Sequence, residues 1–72
     1  MSTLKLLDSV ALLKDRPSFG LKKGDVGCVV QLLSPSEIEV EFIDESGVTI
    51  ALVPLATSDA MRLNLKLVPE KD

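Results

Sequence analysis

Between Glu37 and Phe42, charged and apolar residues alternate without a break. In an extended chain this sets Ile38, Val40 and Phe42 on one face and Glu37, Glu39 and Glu41 on the other, which predicts a half-buried strand over 37–43. Other segments carry shorter versions of the pattern. Val10 and Leu12 point inward, with Ser9 and Ala11 outward, in a first strand bounded by Asp8 and by Asp15-Arg16-Pro17. Val26 to Leu33 is apolar and valine-rich and predicts the longest strand, with Gly27 at a bulge or a sharp bend. Val48 to Val53 predicts a fourth strand, stopped by Pro54 because proline has no N–H for a ladder. Leu63, Leu65 and Leu67 alternate with Arg62, Asn64 and Lys66 in a last strand.

The connections have their own signals. From Asp15 to Lys23 the chain reads as a long loop anchored by Phe19 and Leu21, and Lys22-Lys23-Gly24-Asp25 makes a turn into the second strand. Ser34-Pro35-Ser36 is a tight connection, since proline presets a turn dihedral and serine bonds back to the backbone. Asp44-Glu45-Ser46-Gly47 reads as a hairpin loop with glycine where a positive φ is needed. Thr57-Ser58-Asp59-Ala60 suits one short helical turn capped by a hydroxyl side chain. No window of ten or more residues keeps apolar positions at helical spacing without a proline, a glycine or a β-branched run. Five short strands, a long first loop and a 3-10 turn before the last strand predict an all-β, five-stranded SH3-like barrel over 1–72, a single domain.

Composition narrows the chemistry. Apolar residues make up 46% of the chain, yet Phe19 and Phe42 are its only aromatics, so the core must be aliphatic. A chain of 72 residues sits at the lower end of the size at which one core suffices without metal or disulfide. The net charge of −3 opposes a nucleic-acid or anionic-membrane partner, both of which select clustered cations. Cys28 is the single cysteine, which rules out an internal disulfide, fits a reducing compartment and reads as a small buried hydrophobe. The start, Met1-Ser2-Thr3-Leu4-Lys5, does not resemble a signal peptide, and the apolar runs near 10–13 and 50–53 are too short to span a bilayer, so a soluble cytoplasmic protein is expected. Histidine, tyrosine and tryptophan are absent, which removes the usual general base and the commonest metal ligand. We therefore expect no enzyme activity, no metal and no cofactor.

Two charged groups stand out. Glu37, Glu39, Glu41, Asp44 and Glu45 put five acids on one strand face and its turn, either as a solubilised strand or as a ridge for a basic protein partner. Lys14, Arg16, Lys22 and Lys23 gather around the first loop, either simply solvated or as an anion-binding loop. A proline-rich peptide groove needs aromatics, and Phe19 alone does not supply one. The fourth strand is apolar on both faces, Val48, Ile50 and Leu52 on one and Ala51 and Val53 on the other, which predicts a covered outer face in a homodimer or a larger complex. Leu4, Leu13, Leu33, Val53 and Leu55 are left without an obvious place in one small core.

The run Leu6-Leu7-Asp8-x-Val10-Ala11-Leu12, then Asp15-x-Pro17, then Gly20-Leu21-Lys22-x-Gly24-x-x-Gly27-x-Val29-Val30 resembles a family of small uncharacterised bacterial proteins classed as a domain of unknown function. The likeness continues through Val40-Glu41-Phe42, Asp44, Gly47, Thr49 and Ala51-Leu52. It implies the SH3-like fold and no established activity, and the position of some members beside genes for toxin-like proteins suggests an antitoxin or immunity-type role. Lys23-Gly24-x-x-Gly27-x-Val29 also resembles the KOW motif of nucleic-acid-binding barrels. The expected function is thus a non-enzymatic protein-interaction module, with a KOW-like nucleic-acid binder as the alternative.

Overall fold

The computed structural model of the chain describes residues 4–63. Five strands run in chain order: β1 (Ser9–Leu12), β2 (Val26–Ser34), β3 (Glu37–Ile43), β4 (Thr49–Ala56) and β5 (Ala60–Arg62). Two short 3-10 turns, Pro17–Phe19 and Thr57–Asp59, interrupt the connections. The strands form one antiparallel sheet in the order β4-β3-β2-β1-β5. This is the strand order expected of the small SH3-like fold, but β4 and β5 remain edges, so the sheet does not close into a barrel among the described residues.

The sheet curves around an aliphatic core. Val10, Leu12, Leu21, Val29, Ile38, Val40, Phe42, Val53 and Leu55 are buried together. The alternation in β3 translates directly into burial, with Ile38, Val40 and Phe42 inside. β2 joins the two halves of the sheet, since Gly27 and Cys28 pair with Val10 and Ser9 on one side and with Phe42 and Glu41 on the other.

Gly27 is not at a bulge. It lies in regular pairing with Val10 and Phe42, while the register shifts fall farther along, between Val29 and Gln31 and between Leu32 and Ser34. The glycine is required by close approach, because a β-carbon there would meet Val40 Cγ1 at 2.6 Å and the Glu41 carbonyl oxygen at 2.8 Å. Gly47 does hold the expected positive φ, 83°.

Several expectations are corrected. Pro54 does not stop β4, which continues to Ala56 with Pro54 opposite Glu39. An edge strand spends only alternate N–H groups on its single ladder, so proline fits at the others. Val53 and Leu55, unplaced from sequence, are core residues, and Leu4 packs against the core cluster at its periphery, while Leu13 and Leu33 are exposed. Of the two loop anchors only Leu21 is buried; Phe19 is 41% exposed, with the Arg16 guanidinium over its ring. The turn at Thr57–Asp59 forms without a side-chain cap, its N-cap being Ala56. Cys28 is half-buried on the sheet surface and not in the core. Of the predicted last strand, Arg62 ends β5 and Leu63 still donates its N–H to the Ser9 carbonyl, whereas Asn64, Leu65, Lys66 and Leu67 lie outside the described residues.

Candidate functional site

The acidic residues of β3 lie one strand in from the β4 edge of the sheet, between β2 and β4. Directly opposed residues of an antiparallel pair share a face, so the register assembles rows across three strands. Glu41 stands between Cys28 and Leu52, Glu39 between Gln31 and Pro54, and Glu37 between Ser34 and Ala56. Glu39 and Glu41 are half-buried there. The Thr49 hydroxyl donates to the Glu41 carboxylate. The ion pairs among the described residues are Lys14–Asp59 and Arg62–Asp8, so no Lys or Arg neutralises Glu37, Glu39 or Glu41 within this part of the chain.

The ridge is narrower than its sequence. Asp44 and Glu45 sit in the β3–β4 hairpin, and the Asp44 carboxylate is occupied with the turn, accepting the N–H groups of Ser46 at 2.8 Å and Val48 at 3.0 Å. Glu37, Glu39 and Glu41 are thus brought together on one face, and Asp44 is drawn away to build the loop.

Beside the glutamates lies an apolar band. Val48, Ile50 and Leu52 are 58%, 53% and 53% exposed, and Ile43 at the end of β3 is 51% exposed. Phe42 pairs with Ala51 and Ile43 with Thr49, which leaves Ile50 as the extra, bulged residue of β4. The outer face of β4 predicted to be covered is therefore open in the single chain. The apolar-on-both-faces composition of strand four was the signal for this band, and its adjacency to Glu39 and Glu41 needed the register.

Cys28 shares the row with Glu41. Partial burial first, then the negative charges of Glu41 and Asp8, push its thiol above the ordinary cysteine range. A thiol held protonated is a poor nucleophile, and among the described residues its Sγ meets the Val29 carbonyl at 3.8 Å as its hydrogen-bond acceptor. Among the described residues, no group of three or more His, Cys, Asp or Glu could hold a metal ion.

The basic loop is interleaved with acids. Lys14 pairs with Asp59 at 3.4 Å, Arg16 stacks on Phe19, and the carboxylates of Asp15 and Asp25 accept the backbone N–H groups of Lys23 and Lys22. The four cations do not form one uninterrupted patch. A separate oddity is Leu7, which holds a φ of 72° and is 76% exposed in a turn where Asp8 Oδ2 accepts the Lys5 N–H.

No curated protein and no solved structure matches the chain. A family profile, in contrast, matches residues 6–62, from the Leu6-Leu7 turn to the end of β5, and so covers every strand described above. The chain belongs to the family described as a domain of unknown function, DUF4926.

Proposed function

We propose that this protein is a non-catalytic interaction module that binds a basic protein partner through the outer face of β3 and β4. One observation carries the reading: Glu39 and Glu41, half-buried and without a cation among the described residues, stand opposite exposed Pro54 and Leu52 of β4, with Ile50 exposed farther along the same strand. Apolar side chains of this size gain about 25 cal/mol per Å² when covered, and uncompensated carboxylates beside them select a positively charged cover. An antitoxin or immunity-type role, which the family resemblance suggests, is the specific form of this proposal.

Self-association through the same face would bring two acidic rows into one interface, and the like-charge repulsion between them works against a homodimer there. A KOW-like nucleic-acid role would rest on Lys14, Arg16, Lys22 and Lys23, and the carboxylates of Asp15, Asp25 and Asp59 among them weaken that site. Affinity-tagged full-length protein incubated with lysate of its source at moderate salt tests the proposal. A stoichiometric basic protein that is lost when Glu39 and Glu41 are changed to Lys is the expected result; recovery of nucleic acid, or of the tagged protein alone, would refute it.

A further inference from the structure

Resting on that reading, we infer that the partner element is a cationic amphipathic segment laid across the face of β3 and β4, and not a strand added to the free edge of β4. The edge of β4 is poorly suited to strand addition. Pro54 removes one backbone donor from it, and the bulge at Ile50 breaks its register four residues earlier. An added strand needs a regular row of N–H and C=O groups, and eight residues interrupted at two points offer only short regular stretches.

The face, in contrast, keeps an unbroken register from the Glu37–Ala56 pair to the Phe42–Ala51 pair. Leu52 lies opposite Glu41 and Pro54 opposite Glu39, so an apolar row on β4 runs alongside an acidic row on β3. Strands in a sheet are about 4.8 Å apart, close to the roughly 5–6 Å between Cβ atoms of residues three or four apart on a helix, so neighbouring side chains of one helical segment can meet both rows. A segment presenting leucine-like residues to Ile50 and Leu52 and lysine or arginine to Glu39 and Glu41 satisfies both rows at once. Cys28 flanks Glu41 on the side away from β4, so it lies at the border of the covered area and reports on occupancy.

The probe is a fluorescent 14-residue helical peptide built only from Leu and Lys in an amphipathic pattern, titrated into the full-length protein at low and at about 0.15 M salt. Glu39→Gln with Glu41→Gln, and separately Ile50→Ser with Leu52→Ser, are each expected to weaken binding at least tenfold, while Asp59→Asn changes it less than twofold. All five substituted residues lie outside the buried core, and circular dichroism checks the fold of each of the three variants. Saturating peptide is expected to slow alkylation of Cys28 several-fold. Equal weakening by all three variants, or alkylation unchanged by bound peptide, would overturn the inference, because attraction would then follow net charge alone. A dimer in sedimentation that dissociates on Leu52→Ser would overturn it in favour of a second copy. The peptide requires no natural partner, so failure here with a partner still captured from lysate rejects this mode of docking and leaves the interaction module standing.

Discussion

Gly27 of β2 lies against Val40 of β3 with no room for a side chain between them, since a β-carbon on Gly27 would sit 2.6 Å from Val40 Cγ1. The Glu41 carbonyl oxygen at 2.8 Å closes the other side, and a backbone atom held in a ladder does not step aside. Gly27→Ala is therefore expected to cost about 1–3 kcal/mol as overpacking. Against a net stability of about 3–5 kcal/mol for a domain this small, the urea midpoint falls by about a fifth or more. A midpoint equal to that of the parent would show that the strands separate freely at this point.

Asp44 is expected to act through the hairpin and not through binding. Its carboxylate accepts two backbone N–H groups, each worth about 0.5–1.5 kcal/mol, so Asp44→Ala lowers the thermal midpoint. Asp44→Asn keeps an acceptor oxygen in place and retains most of the stability. Neither variant is expected to slow association with a basic partner, measured by stopped-flow; a large drop in rate with Asp44→Asn would return this residue to the docking ridge.

Leu7 holds a left-handed conformation that costs a residue with a β-carbon about 1–2 kcal/mol. Its side chain is mostly in solvent, so little packing is lost on substitution. Chemical denaturation is expected to rank Leu7→Gly at or above the parent and Leu7→Val below it, because a β-branched side chain tolerates positive φ worst. The reverse order would mean that Leu7 does not occupy this turn.

Cys28 links stability to alkaline pH. Burial, and then Glu41 and Asp8, raise its pKa in the folded state, so the folded protein holds the thiol proton more tightly than the unfolded chain does. The stabilisation is full below the unfolded value of about 8.5 and is lost as pH rises through the higher folded value. Denaturation midpoints of the parent should therefore decline across that range more than those of Cys28→Ala. Alkylation of Cys28 near pH 8 is expected to be slower than that of a free thiol and to quicken in Glu41→Gln. Equal pH profiles for parent and Cys28→Ala would rule out the linkage.

The fold was largely legible because strand alternation is a local property. Ile38, Val40 and Phe42 had to share a face whatever their neighbours, and they form the centre of the core. The hairpin at Asp44 to Gly47 was equally legible, since a positive φ selects glycine without reference to the rest of the chain. Boundaries that depend on pairing were not. Whether Pro54 ends a strand depends on whether that strand has one neighbour or two, and only the sheet order showed that β4 is an edge.

The site divides along the same line. Local alternation put the three glutamates of β3 together, and composition alone made the fourth strand apolar on both sides. Register between strands decided the rest: it set Leu52 beside Glu41, placed Cys28 on the surface in the row of Glu41 and left Gly27 no space for a side chain. Direction along one strand follows from a period of two residues, but which residue stands opposite which follows from the curvature and bulges of the whole sheet.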